Sequence, residues 1–189
     1  MNVNPLYHKT ENALSEELNS INKAKKDPSA FAPLYKEYHE KVFRYVYQRM
    51  NDKDLAFDIT SQVFIKAMNN IHKYEYRGVP FSSWLYRIAK SELYQSFRNK
   101  KAERVVNIES YQLIDVSEEI ECNNLMDKKE LLIEALSRLN DVDIQLVEMR
   151  FFEKRSYREI GDILDLTENN AKVKTFRALE RLKKLVINK

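Results

Sequence analysis

The chain has 189 residues, 43% of them hydrophobic and 32% charged, with a formal net charge of only +3. It carries two glycines where a protein of this length averages roughly a dozen, which excludes P-loop enzymes, Rossmann oxidoreductases and β-sandwiches, all of which need glycine for phosphate loops or tight turns. One cysteine (Cys122), three scattered histidines (His8, His39, His72) and no run near the roughly 18 apolar residues of a spanning helix predict a soluble, cytoplasmic protein with no metal, no cofactor and no membrane insertion.

Residues 1–27 are polar and read as a loosely ordered extension with one short helix around Leu14–Ile21. From Leu34 the apolar positions Leu34, Tyr38, Val42, Tyr45, Val46 and Met50 repeat every three or four residues, a helix with Ser29 as its expected N-cap. A second helix follows Leu55, Ile59, Val63, Ala67 and Ile71. It also carries Phe57, Phe64 and Ile65 off that stripe, beside Asp58, Thr60 and Gln62. Such a second mixed face suits either a protein partner or a helix buried on two sides.

The turn-prone Tyr76–Pro80 precedes a third helix from Phe81 to about Lys101. Its inward stripe is Leu85, Ile88, Ala89, Leu93 and Ser96; outward lie Arg87, Lys90, Ser91, Tyr94, Arg98 and Lys101. From Trp84 to Arg104 there are six basic residues and two acidic ones, which suits a nucleic-acid backbone. The loop before it supplies Tyr74, Tyr76, Phe81 and Trp84 with Lys73 and Arg77. These form either a stacking platform for unpaired bases or a loop folded back on its own core. Glu92 fits neither face.

Between Val105 and Asp127 lie six acids and no Lys or Arg, without sustained periodicity: an acidic tether. The helical period resumes at Lys128 with Leu131, Leu132, Ala135, Leu136 and Leu139, and further helices are predicted near 142–152, 157–164 and 168–186. The short Tyr157–Leu164 helix, the Asp165-Leu166-Thr167 turn and a longer helix capped by Thr167 form a helix-turn-helix pattern. Ala171, Thr175, Ala178, Leu182 and Leu185 face inward. The opposite face holds Asn169, Asn170, Val173, Phe176, Arg177 and Lys184, and Glu168–Lys184 also carries Lys172, Lys174, Arg181 and Lys183. Val173 and Phe176, pointing away from the core, are expected to meet either thymine methyls or a neighbouring helix.

The segments Asp58-Ile-Thr-Ser-Gln-Val-Phe64, Phe81-Ser-Ser-Trp-Leu-Tyr-Arg-Ile-Ala-Lys90 and Ser156-Tyr-Arg-Glu-Ile-Gly-Asp-Ile-Leu164, the last leading into Thr167-Glu-Asn-Asn-Ala-Lys-Val-Lys174, stand in this order. Together they resemble an RNA polymerase sigma factor of the sigma-70 family, extracytoplasmic-function type. The resemblance covers about residues 29–101 and 128–187. It implies an all-α chain of two small helical domains: region 2 at 28–101 and region 4 at 128–189, joined by a flexible acidic linker at 102–127.

It also implies the roles. Asp58, Gln62, Phe64 and Ile65 would bind core RNA polymerase at the β′ clamp helices, with the β flap as a further contact. Tyr74, Tyr76, Arg77, Trp84, Arg87, Lys90, Ser91, Tyr94 and Arg98 would recognise and hold open the −10 element. Asn169, Asn170, Lys172, Val173, Lys174, Phe176, Arg177 and Arg181 would read the −35 element of promoter DNA. There would be no catalytic residue, and an anti-sigma factor is a candidate partner. Departures from the family pattern include Ser91 and Gln95, where Asn and Asp are common, and Asp165 at a turn position that is often Gly. A stand-alone helix-turn-helix regulator accounts for the C-terminal half alone, and no acid–base constellation supports an enzyme.

Overall fold

The computed structural model describes residues 11–99, 104–106, 110–120 and 129–187, which are helical apart from short connections and hold no strand. They divide into two compact units between Val105 and Val106. Among them no helix is long and apolar enough to cross a membrane.

The N-terminal unit is a bundle of α1 (Glu11–Ala24), α2 (Ala32–Tyr47), α3 (Lys53–Asn70) and α4 (Phe81–Arg98). A 3-10 turn, Pro28–Phe31, precedes α2. Asp27 caps this turn, its carboxylate accepting the Ser29 amide at 2.9 Å and the Ser29 hydroxyl at 2.7 Å, and Ser29 does not cap α2 as expected: that helix follows Phe31 without a side-chain cap. Those bonds hold the carboxyl below its ordinary range. Asp52 caps α3 by accepting the Leu55 amide. The predicted stripes fill the core: Leu34, Tyr38, Val42 and Val46 from α2, Ile59, Val63 and Ala67 from α3, and Leu85, Ala89 and Leu93 from α4 are all buried. Each large apolar side chain there contributes about 1.5–3 kcal/mol.

Two expectations for this unit need correcting. Residues 11–24 are a packed helix, with Glu17, Ile21 and Ala24 buried against the bundle. The helix contains the short one expected around Leu14–Ile21 and extends it at both ends; what differs from the expectation is that it is packed rather than loose. Glu92, without a role in the sequence, pairs with Lys66 of α3 at 2.6 Å across the α3–α4 contact.

The C-terminal unit contains α5 (Ser110–Glu119), α6 (Lys129–Ser137), α7 (Asp141–Val147), α8 (Tyr157–Leu164) and α9 (Glu168–Ile187). The helix α5 lies inside the stretch expected to be tether. Val116 and Ile120, at the end of α5, join one core with Leu132, Leu136, Val147, Phe152, Leu179 and Leu182, and Asp115 pairs with Lys154 at 2.5 Å. The acidic composition of this stretch hides a helix that packs into the C-terminal core. Asn140 caps α7, accepting the Val142 and Asp143 amides. The helix ends in a π turn over Glu148–Phe152, and Met149, Phe151 and Phe152 are all buried there.

The connection to α8 is pinned by buried charge. Arg155 is fully buried, with its Nε 2.6 Å from Glu153 and Nη1 3.6 Å from Glu159, and its amide donates to the Met149 carbonyl. Glu159 also closes a capping box with Ser156. Lys154 takes a left-handed backbone (φ 54°) to make the bend.

Candidate nucleic-acid interface

In the C-terminal unit, α8, a tight turn and α9 form the helix-turn-helix. Asp165 adopts the left-handed conformation (φ 56°, ψ 45°) that ends α8, and the Leu166 amide bonds back to the Gly161 carbonyl at 2.8 Å. Thr167 accepts the Asn170 amide at 3.2 Å, as its cap position requires. The turn folds so close to α8 that a Cβ at Gly161 would lie 2.7 Å from the Leu166 carbonyl oxygen.

Ala171, Thr175, Ala178, Leu179, Leu182 and Val186 of α9 are buried, and the Thr175 hydroxyl is satisfied by the Ala171 carbonyl at 2.8 Å. This leaves Asn169, Asn170, Lys172, Val173, Lys174, Phe176 and Arg177 exposed. Phe176 is 63% exposed and Val173 39%, so no neighbouring helix within the unit covers them. An apolar pair flanked by Lys172, Lys174 and Arg177 matches what a major groove offers: base edges and thymine methyls between two phosphate backbones.

Arg181 differs from the other α9 cations. Its Nη1 donates to buried Asp143 at 2.5 Å, which ties α9 to the first turn of α7. Asn140 Nδ2 donates to the same carboxylate oxygen at 2.8 Å. Asn140, Val142 and Asp143 of the α7 end and Lys174, Arg177 and Arg181 of α9 line one open cleft of about 230 Å³. Sequence reasoning missed Asn140 and Val142, since nothing in α7 alone is basic or aromatic.

In the N-terminal unit the loop before α4 divides. Tyr74 is only 5% exposed, edge-on to Phe81 (5.2 Å) and Trp84 (5.4 Å), and Phe81 is buried. Tyr74 is thus a core residue rather than a stacking surface for bases, because its ring closes the hydrophobic end of the bundle. Trp84 is half-buried in the same cluster, while Tyr76 and Arg77 are exposed beyond it. Gly78 has φ 73°, a backbone conformation open to glycine at little cost, and Val79 turns back into the core. Along α4, Ser91 and Arg98 are exposed; Arg87, Lys90 and Tyr94 are half-buried, and Arg104 donates to the Tyr94 hydroxyl at 3.0 Å. Lys101 lies outside the described residues.

On α3, Asp58, Gln62 and Ile65 are exposed, Ile65 by 47%. Phe64 is not part of that surface. It is 5% exposed, packed edge-on against Phe31 and Tyr35 and tilted against His39. The outer face carries Phe57 and Met68 instead, and Phe57 stacks on Phe43 at 4.3 Å.

Comparison with known proteins agrees with this arrangement. A family profile described as Sigma-70 region 2 matches residues 34–103, and one described as Sigma-70, region 4 matches residues 135–184. The chain is similar to the ECF RNA polymerase sigma factor BldN of Streptomyces coelicolor, 27% identical over 164 residues; the match spans 85% of this chain and 61% of that protein. Its fold is similar to that of CnrH, solved in complex with the cytosolic domain of CnrY (TM-score 0.62, 16% identity, 89% of this chain and 96% of that one). It is also similar to the sigma factor RpoE of Bartonella quintana, solved with the anti-sigma factor NepR (TM-score 0.55, 16% identity, 84% and 98%).

Proposed function

The chain belongs to the sigma-70 family of RNA polymerase sigma factors, in its extracytoplasmic-function group, and on that premise we propose that it directs promoter-specific initiation by reading two DNA elements with its two units. Sigma factors are specificity subunits, so the nucleotidyl transfer belongs to the polymerase. Residues 128–189 read the −35 element as duplex, with Val173 and Phe176 on base edges and methyls, Asn169, Asn170 and Arg177 on polar base groups, and Lys172, Lys174 and Arg181 on phosphates. Residues 28–101 capture the −10 element. Tyr76, Arg77 and Trp84 receive bases that leave the stack, and Arg87, Lys90, Ser91, Tyr94 and Arg98 hold the single strand. Tyr74 supports Trp84 from below. Asp58, Gln62 and Ile65 dock on core polymerase, and Phe64 acts from behind them as packing. The acidic stretch 102–127 joins the two, with α5 inside it belonging to the C-terminal unit, and an anti-sigma factor is a candidate partner that would cover one of these surfaces.

The observation that carries this reading is the exposure of Phe176 and Val173 on a basic helix whose other face is fully packed. Reconstitution with core polymerase tests it. The chain is expected to co-purify with core enzyme and to open promoter duplex only in its company. A chain that fails to bind core enzyme, or that binds duplex equally tightly alone, would refute it.

A further inference from the structure

The helix α1 precedes both stretches matched by the family profiles, and the proposed function leaves it without work. It touches both ends of the loop between α3 and α4. At the far end, buried Glu17 accepts the Phe81 amide through Oε2 at 3.1 Å, and its Oε1 accepts the Tyr38 hydroxyl. Phe81 is the first residue of α4, and the Pro80 before it provides no side-chain cap. A carboxylate from 64 residues away thus occupies the place of an N-cap, at the positive end of the α4 dipole. At the near end, Lys25, directly after α1, donates from Nζ to the Tyr74 carbonyl at 2.7 Å, with its ammonium 5.9 Å from the Tyr74 ring centroid.

Between these anchors Glu75, Tyr76 and Arg77 are exposed. An apolar residue at position 17 could fill the same space without desolvating a carboxylate. What the carboxylate adds is a fixed acceptor for one backbone amide, and Lys25 fixes one backbone carbonyl. With both ends held, the entropy of ordering the loop is lost on folding rather than on DNA binding.

We propose that Glu17 and Lys25 are positioning residues for −10 capture, holding the loop ends so that Tyr76 and Arg77 meet an unstacked base in one geometry. The inference rests on the −10 reading of this loop. Trp84, the single tryptophan, packs on Tyr74 and Phe81 and reports the loop ends directly.

The test uses the full chain reconstituted with core polymerase. The probes are a duplex selected from a randomised promoter library by the wild-type holoenzyme, and the single non-template strand of its −10 segment. Lys25→Met, at an exposed position, is expected to keep core-polymerase affinity within about twofold while lowering single-strand affinity and opening rate about fivefold or more. Acrylamide quenching of Trp84 in the free chain should rise with it. Lys25→Arg, which keeps the cation and donor, should return all three to near wild type, and Glu17→Met, which removes the acceptor and keeps the volume, should follow Lys25→Met. If Glu17→Met fails to fold, the exposed Lys25 pair decides alone. Wild-type single-strand binding and quenching in Lys25→Met overturn the proposal, as does a loss that Lys25→Arg does not restore. A wild-type holoenzyme that opens duplex yet ignores the single strand refutes the −10 reading itself.

Discussion

Gly161→Ala sets two physical effects of opposite sign against each other. Gly161 lies in the interior of α8, where exchanging glycine for alanine alone stabilises a helix by about 1 kcal/mol. The new Cβ, however, would lie 2.7 Å from the Leu166 carbonyl oxygen, 3.3 Å from the Thr167 carbonyl carbon and 3.4 Å from the Glu168 amide nitrogen. All three are backbone atoms of the turn and the start of α9, so none can swing aside as a side-chain end could. Overpacking costs about 1–3 kcal/mol, and rigid backbone neighbours argue for the upper half, leaving a net loss of about 1–2 kcal/mol. For a unit of this size that is a fall of roughly 4–16 °C in Tm. Thermal unfolding followed by far-UV circular dichroism reads it. Binding of the holoenzyme to −35 duplex should weaken as well, since α9 begins at the displaced atoms. A Gly161→Ala protein that is more stable than wild type would refute the close-approach argument and leave propensity as the governing effect.

Phe176→Ser should leave stability within about 0.5 kcal/mol, because the ring is exposed, yet reduce discrimination among −35 sequences by about 1–3 kcal/mol in competition binding. Equal weakening on all sequences would assign the ring to non-specific contact. Ile65→Asp should weaken core-polymerase binding without changing the unfolding temperature, whereas Phe64→Ala should cost about 3–5 kcal/mol of stability; matching effects at the two sites would erase the distinction between surface and core on α3. Burial, and then the Glu17 carboxylate, push the Tyr38 hydroxyl far above its ordinary value. A group raised in the folded state gives stability that is intact below about pH 10 and lost as pH rises further, by up to about 1.4 kcal/mol per pH unit. Tyr38→Phe should therefore show a shallower alkaline loss than wild type in urea titrations, and identical slopes would contradict that burial.

Much of the molecule is written locally. The 3.6-residue period sufficed for α2, α3 and α4 and for α6 through α9, because each of those helices presents an apolar stripe to a single core. The Thr167 cap and the outward Val173 and Phe176 were legible for the same reason: each depends on neighbours within one or two turns. The sequence also carried the charge asymmetry of α4 and α9, on which the nucleic-acid reading rests.

Folding in three dimensions settled the rest. Phe64 lies off the main stripe of α3 and Tyr74 lies in a loop, and periodicity does not say which such ring meets another helix; both proved buried, while Phe57 and Tyr76 stayed out. The docking of α1 and α5 was likewise decided by what they meet: Ile21 and Ala24 in the first, and Val116 and Ile120 at the second, are buried. The pairings Glu17–Phe81, Lys66–Glu92 and Asp143–Arg181 join residues 64, 26 and 38 positions apart. A chain's pattern encodes which face of each helix avoids water, but not which distant polar group waits opposite. That is decided only when packing sets the two elements side by side, and most sharply for buried Glu17 beside the Phe81 amide, where an unpaired charge is costly.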